Sequence, residues 1–293
     1  MAALLLFFIG VLLIVSPFCR TVLFNFYFAL FYVPVDLFRY IFYRLKYKMP
    51  TGRLDCYCAD FGGGKTLSMA QYLYKLNKKY NGKKYYDSVR KIWIKQHVVV
   101  LSNFTVNKVD CIPLSTLQDV VNFANVQKEY DAENGTRTCL IVAIDEASCQ
   151  LNSRNFKSNI DPLFLNTLIT CRHYNINFIY SSQTFFLTDK LLRDVTQRVI
   201  WCKKIWRVME LFYYDAHVVE NAGSIETIKP KRKRGWFICD FHFKLYDTLS
   251  CVDNLTKDGS MLSYEEILAN RGSVVVDEDA VRGHKFRRYR KAK

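Results

Sequence analysis

ADFGGGKTLSM, residues 59–69, places three consecutive glycines directly before a lysine and a threonine. Glycine-rich turns that open a helix bind phosphate, because their backbone N–H groups and the positive end of the helix dipole face the same anion. The usual pattern, G-x-x-x-x-G-K-[ST], begins with glycine, whereas this chain has Ala59 there, the smallest possible departure. The stretch therefore predicts a phosphate-binding loop, and the alternative is a glycine-rich turn with a chance lysine.

Each residue of this loop has a distinct predicted role in binding ATP and Mg²⁺. Gly62, Gly63 and Gly64 carry no side chain that would block the approach of the phosphates. Lys65 is expected to reach the β and γ phosphates, and the hydroxyl of Thr66 is expected to ligate Mg²⁺. The cofactors predicted from this segment are accordingly ATP and Mg²⁺.

The segments around the loop alternate between buried strands and helices, as in a parallel α/β sheet. A strand is predicted at 54–61, running into the glycine loop, and a helix at 66–80 begins at that loop. Continuous apolar runs predict the other strands, because strands covered on both faces lack polar alternation. These further strands are 97–104, 138–147, 176–183 and 198–202, with helices at 163–174 and 189–193 and a loop at 221–236.

The predicted strand 138–147 ends in two neighbouring acids, in the stretch IVAIDEA (141–147). Asp145 is expected to hold Mg²⁺, usually through water, and Glu146 to polarise the attacking water. Such a pair is common by chance, but here it lies eighty residues after Lys65 with strands and helices between. The two segments together indicate a site for nucleotide hydrolysis.

Polar residues at later positions are candidates for completing this site. Gln183 ends the predicted strand 176–183, and ligands of open α/β sheets bind outside the carboxyl ends of the strands. Its amide is expected to sense the γ-phosphate or to orient the attacking water, and the alternative is a polar residue that caps a strand. Arg154, Arg172 and Arg193 are candidates for an arginine finger that completes a neighbouring subunit's site, with surface salt bridges as the alternative.

The N-terminal residues form two apolar runs that predict membrane attachment. Residues 2–19 carry no charge over 18 positions, which is nearly enough to cross a hydrocarbon core of about 30 Å. Residues 21–38 are a returning span or an aromatic-rich helix in the interface, so one or two spans remain open. A cleaved signal peptide is the alternative, but no basic residues precede the first run. Basic residues from Arg39 onward predict that the following chain lies in the cytoplasm.

The composition restricts the class of protein and of partner. An apolar content of 50% excludes a mostly disordered chain. The net charge of +15 favours an anionic partner, either nucleic acid or a membrane surface. Much of this charge lies at 229–234 and 282–293, the second with seven Lys or Arg in twelve residues. Ten cysteines without a C-x-x-C pair argue against a zinc framework or a small secreted scaffold.

The combined motifs resemble the zonula occludens toxin-like assembly ATPases of filamentous phages (inoviruses), within the FtsK/HerA class of P-loop NTPases. The resemblance covers roughly residues 54–215, and its most specific part is R-H-x-x-I-x-x-I-x-x-S-Q, from Arg172 to Gln183. It implies an α/β fold: a RecA-like P-loop NTPase with a mostly parallel sheet, here preceded by an N-terminal transmembrane helix or hairpin. Known phage proteins carry their span after the ATPase domain, so the N-terminal anchor departs from the pattern.

The resemblance also implies a function and partners. The protein is expected to be an ATPase in the host inner membrane, with its ATPase domain in the cytoplasm, that drives DNA extrusion and virion assembly. The implied partners are single-stranded DNA or a phage DNA–protein complex, coat or other assembly proteins, and further copies of the chain in a ring. A conjugative coupling protein, a genome-packaging motor and a non-catalytic nucleotide-binding scaffold are the alternatives. The predicted domains are an anchor (1–45), the ATPase core (46–220), and a basic loop with a C-terminal tail (221–293).

Overall fold

The computed structural model describes residue 10, residues 16–150 and residues 162–246. The chain divides into two compact units: the first holds its residues up to Lys48 together with Tyr85–Trp93, and the second holds Met49–Lys84 and its residues from Ile94 onward. Arg154, the basic cluster 282–293 and most of the apolar run 2–19 lie outside the described residues.

The first unit contains two apolar helices whose side chains stay accessible in the described part of the chain. Helix α1 (Pro17–Phe24) begins after Ser16, whose hydroxyl accepts a hydrogen bond from the N–H of Cys19, and α2 (Phe26–Phe42) follows at a bend of 95°. No residue of either helix is buried. No single helix among the described residues is long and apolar enough to cross a membrane, whereas the bent pair meets both requirements together. The predicted transmembrane helix or hairpin therefore stays a prediction.

The second unit is built on a mostly parallel sheet, which confirms the predicted α/β class. The described strands of the chain are β1 (Arg53–Cys58), β2 (Lys84–Asp87), β3 (Ile92–Ser102), β4 (Cys111–Pro113), β5 (Arg137–Ile144), β6 (Ile176–Ser182), β7 (Arg198–Ile205), β8 (Val208–Asp215) and β9 (Arg232–Phe237). The last three residues of β2 and the first two of β3 belong to the first unit. Along the described sheet the order is β3-β5-β6-β1-β7-β8-β9, with β4 beside β3. Pairing is parallel from β4 to β7 and antiparallel from β7 to β9.

Helices cover both faces of this sheet and bury its apolar strands. They are α3 (Lys65–Tyr80), α4 (Leu117–Asn134), α5 (Ala147–Gln150), α6 (Pro162–Ile169), α7 (Lys190–Val195), α8 (Ala216–Ala222) and α9 (Asp240–Phe243). One core joins α3 to the face of β1 that carries Tyr57, and the other joins α4 and α6 to the face that carries Cys56. Because successive residues of a strand point to opposite faces, a continuous apolar run fills both cores.

The predicted elements are confirmed in kind, but several of their boundaries are wrong: the strand predicted at 54–61 ends at Cys58, the one at 97–104 begins at Ile92 and the one at 198–202 ends at Ile205. Three further differences concern the acid pair, a helix and the basic loop. The predicted strand 138–147 ends at Ile144, so both acids follow it. The predicted helix 163–174 ends at Ile169 and is followed by a turn. The predicted loop 221–236 contains β9 from Arg232 onward, which pairs with β8. Basic residues are tolerated in β9 because it is the outermost described strand, with five of its six residues exposed.

Candidate active site

The glycine loop joins the end of β1 to the first turn of α3. Gly62 and Gly64 adopt positive φ angles of 71° and 84°, a conformation that side chains disfavour, and Gly64 is the N-cap residue directly before α3. The 16-residue helix therefore directs its N-terminal backbone N–H groups and its positive dipole at the loop. This is the strand–loop–helix arrangement that phosphate binding requires.

Ala59 fits the loop because Gly63 has no side chain. Ala59 is fully buried, and a Cβ added to Gly63 would lie 2.7 Å from the Cβ of Ala59 and 3.0 Å from the carbonyl oxygen of Asp60. The N–H of Gly63 donates to that same carbonyl over 3.0 Å, which closes a tight turn. The departure from the usual first glycine is thus accommodated by a glycine four residues later.

Lys65 lies across the loop that it follows. Its ammonium group donates to the carbonyl oxygen of Ala59 over 3.0 Å and to that of Asp60 over 3.4 Å. These contacts hold the positive charge beside the backbone that is expected to surround phosphate. The position suits the predicted role of Lys65 in binding the β and γ phosphates.

Thr66 and Asp145, the two residues predicted to hold Mg²⁺, are in direct contact. The Thr66 hydroxyl donates to Oδ2 of Asp145 over 2.8 Å. The second carboxylate oxygen of Asp145 accepts a hydrogen bond from the Ser181 hydroxyl. Asp145 is buried, and one side chain from α3 and one from β6 orient its carboxylate.

The backbone N–H and carbonyl of Asp145 are both hydrogen-bonded to one side chain, that of Asn103. Its N–H donates to Oδ1 of Asn103 over 2.8 Å, and its carbonyl accepts from Nδ2 of the same side chain over 3.1 Å. Asn103 directly follows β3, which lies beside β5 in the sheet. A single buried amide therefore fixes the chain at the point where the acid pair leaves its strand.

Glu146 is held in an uncommon backbone conformation next to this pair. Its φ angle is +51°, in the left-handed region that non-glycine residues rarely adopt, and its side chain is exposed. Its N–H donates to the Ser181 hydroxyl over 2.8 Å. Residues in such conformations persist where neighbours impose them, and they concentrate at functional sites. Ser181 therefore connects the backbone of Glu146 to the carboxylate of Asp145.

The remaining predicted site residues lie in different places. Gln183 directly follows β6 and is half-buried at the same edge of the sheet. Arg172 is exposed and precedes β6 at the opposite edge, against Gly52, so one subunit does not bring it to its own loop. Arg193 forms an ion pair with Glu220, in which its Nε and Nη2 donate to the two carboxylate oxygens over 2.9 and 3.1 Å. Of the two alternatives for Arg193, the structure therefore agrees with the salt bridge. The role of Arg172 toward a neighbouring subunit stays a prediction.

The oxygen atoms at this edge fit Mg²⁺ with a bound nucleotide. In the described chain there is no group of three or more His, Cys, Asp or Glu side chains arranged for a metal. Mg²⁺ at phosphate sites needs none, because one or two carboxylates, water and the phosphates complete its six oxygen ligands. The Thr66 hydroxyl and the Asp145 carboxylate, in contact with each other, supply such oxygens.

Two residues of the site, Ser181 and Asn103, were absent from the sequence-based prediction. Both follow the pattern that identified Gln183, a polar residue at the carboxyl end of an apolar run. Their roles depend on which strands are neighbours: β6 lies between β1 and β5, and β3 lies on the other side of β5. Sequence spacing alone does not contain that order.

This chain is similar to several solved structures, whereas no family model or curated protein matches its sequence. Among solved structures, the N-terminal domain of zonular occludens toxin from Neisseria meningitidis is 17% identical, with a TM-score of 0.40 over 68% of this chain and 100% of that one. The genome packaging NTPase B204 from Sulfolobus turreted icosahedral virus 2, in complex with ATP-gammaS, is 11% identical, with a TM-score of 0.38 over 65% and 100%. A zonular occludens toxin domain and a genome packaging NTPase are thus among the structural neighbours, as the resemblance stated from the sequence predicts.

Proposed function

We propose that this chain is a membrane-anchored ATPase that hydrolyses ATP to move DNA, in the extrusion of phage DNA during virion assembly. The observation that carries the proposal is the contact between Thr66 and Asp145 beside the glycine loop. A loop that only bound phosphate would need neither an acid pair at its edge nor a buried serine and amide that orient that pair.

The proposed reaction assigns one task to each side chain. Lys65 would neutralise charge on the β and γ phosphates, and Thr66 and Asp145 would hold Mg²⁺, which would supply further positive charge to stabilise the transferred phosphoryl group. Glu146 orients the attacking water and accepts its proton. Ser181 is a positioning residue, because it acts through Asp145 and through the backbone of Glu146. Gln183 is proposed to sense the γ-phosphate from the end of the neighbouring strand.

Attachment to the host inner membrane is proposed from the uncovered helices of the first unit. The side chains of α2 are almost all apolar, and twelve of its large ones are at least half exposed: Phe26, Tyr27, Phe28, Leu30, Phe31, Tyr32, Val33, Leu37, Phe38, Tyr40, Ile41 and Phe42. A contiguous apolar surface of this size is unusual on a water-exposed protein and typical of a membrane or partner surface. With the basic residues that follow, it supports a cytoplasmic ATPase domain at the bilayer.

The partners proposed for this ATPase follow from the resemblance and from its charge. They are single-stranded DNA or a phage DNA–protein complex, phage coat or other assembly proteins, and further copies of the chain in a ring. In such a ring, the exposed guanidinium of Arg172 is the arginine proposed to complete a neighbour's site.

Hydrolysis by the purified full-length chain in detergent tests the proposed function. Lys65→Ala and Glu146→Gln are expected to lower the turnover of ATP at least 100-fold. Lys79→Ala and Glu129→Gln, which remove the same charges at exposed positions of α3 and α4, are expected to leave it unchanged. Glu146→Gln is expected to retain ATP binding. Binding of ATP with equal, residual hydrolysis in all five proteins would instead support a nucleotide-binding scaffold.

A further inference from the structure

A cavity of about 470 Å³ lies on the second unit, away from the glycine loop. It opens on the face of β1, β7, β8 and β9 that α3 covers, and it includes Arg53 and Arg198, the first residues of β1 and β7. The glycine loop follows the last residue of β1, at the other edge of the sheet. The cavity is therefore distinct from the nucleotide site, and its size is that of a small-ligand site.

The walls of the cavity carry an excess of positive charge. Five basic side chains line it, and two of them are neutralised: Arg198 by the buried carboxylate of Asp55, and Lys231 by Asp215 over 2.6 Å. Within the described chain, the other three form no ion pair; they are Arg53, Arg232 and Arg234. Guanidinium groups without a carboxylate partner are the groups that bind phosphate in proteins.

Four tyrosines are also part of the lining. Tyr72 projects from α3, Tyr57 from β1, and Tyr213 from β8, with Tyr213 directly opposite Arg232 in the β8–β9 pair. Burial raises the pKa of Tyr72 and of Tyr213 above the ordinary value for tyrosine, so both phenols are neutral at physiological pH. Flat aromatic rings beside unpaired arginines give a base a surface on which to stack and its phosphate a partner.

We propose that this cavity binds one or two nucleotides of single-stranded nucleic acid, with backbone phosphate on Arg53, Arg232 and Arg234 and a base against Tyr72 or Tyr213. Single strands are favoured over a duplex because bases inside a duplex are paired and stacked, and entering a pocket would require flipping them out. The inference rests on the proposed function and adds the place where the DNA strand is held.

Two rigid elements connect this cavity to the nucleotide loop. Helix α3 begins with Lys65 and carries Tyr72 seven residues later, roughly 10 Å along its axis. Strand β8 carries Tyr213 into the cavity and Met209 to the loop, where a Cβ on Gly64 would lie 2.3 Å from the methyl group of Met209. A strand held in the cavity thus touches elements that also form the ATP site.

The role of the unpaired arginines is tested by binding of a fluorescent 20-nucleotide oligo-dT to the whole chain in detergent, without ATP. The variant Arg232→Gln/Arg234→Gln is expected to weaken binding about 10- to 100-fold, because each arginine loses a charged hydrogen bond. The slope of log K against log salt is expected to become shallower by about 1.4, from two lost phosphate contacts. The matched control is Lys229→Gln/Lys233→Gln: Lys229 is not part of the lining, and Lys233 lies between the two arginines and contacts Phe212 instead. It is expected to weaken binding less than 3-fold.

Substitutions of Tyr213 test the stacking. Tyr213→Leu is expected to weaken binding about 10-fold and Tyr213→Phe to leave it near wild type, because stacking needs the ring and not the hydroxyl. Equal losses in the arginine double variant and its lysine control would overturn the proposal. So would release of the double variant from phosphatidylglycerol vesicles with unchanged oligonucleotide binding, since the cavity would then serve lipid.

ATP hydrolysis at the glycine loop and nucleic-acid binding in the cavity can be refuted independently of each other. Lys65→Ala is expected to abolish hydrolysis and keep oligonucleotide binding. If Lys65→Ala kept hydrolysis, the proposed function would be wrong. The comparison of the arginine and lysine variants would still show whether the cavity binds the oligonucleotide.

Discussion

The hydroxyl of Thr66 donates a hydrogen bond to the carboxylate of Asp145 over 2.8 Å, across 79 residues of sequence. The contact joins the first turn of α3, which follows β1 and the glycine loop, to the residue directly after β5. Strands β1 and β5 are not neighbours in the sheet, because β6 lies between them. It brings together two oxygens that suit Mg²⁺, and the predictions about catalysis start from it.

Asp145→Asn is expected to lower Mg²⁺-dependent hydrolysis at least 100-fold, because an amide keeps the shape of the carboxylate and loses its charge. ATP affinity without Mg²⁺ is expected to change little. Steady-state hydrolysis and equilibrium ATP binding measure the two effects, with Glu129→Gln as an exposed carboxylate control. Normal Mg²⁺ dependence in this variant would show that the Asp145 carboxylate does not hold the metal.

Ser181→Ala is expected to raise the Mg²⁺ concentration for half-maximal hydrolysis and to lower turnover about 10-fold. The substitution removes the donor to Asp145 and the acceptor of the Glu146 N–H, and a buried polar group left without its partner costs about 1–3 kcal/mol. Ser182→Ala is the matched control, because the Ser182 hydroxyl donates to the carbonyl oxygen of Thr184 instead. Identical Mg²⁺ titrations of the two variants would contradict the positioning role.

Gly63→Ala is expected to weaken ATP binding at least 10-fold, since its new methyl group would lie 2.7 Å from that of Ala59. Ala59→Gly alone is expected to be close to wild type. Combined with Gly63→Ala, it is expected to recover part of the affinity, with the carbonyl of Asp60 still close at 3.0 Å. A double-mutant cycle on ATP binding measures this coupling, and strictly additive losses would show that Ala59 and Gly63 do not constrain each other.

Phe31→Lys/Leu37→Lys is expected to release the chain from membranes, because both side chains lie on the exposed surface of α2. A lysine costs about 2.5–3.5 kcal/mol at the centre of a membrane helix. Flotation with phosphatidylglycerol-containing vesicles is expected to show at least a 100-fold loss of bound protein. Val218→Lys, at an exposed apolar position of α8, serves as the control. Full retention of the double variant on vesicles would argue that α2 contacts a protein partner.

Stability is expected to fall in alkali through Cys202, whose backbone lies beneath the glycine loop. Burial raises the pKa of its thiol from 9.0 to about 12. Because the folded value lies above the unfolded one, this contribution is fully present below pH 9 and is lost as the pH rises toward 12. Between pH 9 and 10, wild type is expected to lose about 1 kcal/mol of unfolding free energy relative to Cys202→Ala.

Urea unfolding followed by tryptophan fluorescence measures this difference at each pH. Cys239→Ala, which removes an exposed thiol, is expected to follow wild type. If all three proteins lost stability in parallel, the buried thiol would have no part in the alkaline transition.

The alternation of strands and helices and the identity of the loop were predictable because their signals are local. Gly62–Gly64, Lys65 and Thr66 lie within five positions, and an apolar run followed by Asp145 and Glu146 requires no knowledge of the rest of the chain. The strand at 232–237 was missed for the same reason: the basic residues of β9 carry no local signal of pairing, and their strand is defined by hydrogen bonds to β8.

Local sequence signals were sufficient for the mostly parallel α/β class, for the glycine loop between a strand and a helix, and for the acid pair at the end of an apolar strand. The folded chain was needed to show that Ser181 and Asn103 orient Asp145 and that Arg193 forms an ion pair with Glu220. It also showed that one cavity is lined by arginines and tyrosines from distant parts of the sequence: Arg53, Arg232, Arg234, Tyr72 and Tyr213. The difference arises from strand order: side chains far apart in sequence meet where neighbouring strands end or share a face, and spacing along the chain does not encode which strands are neighbours.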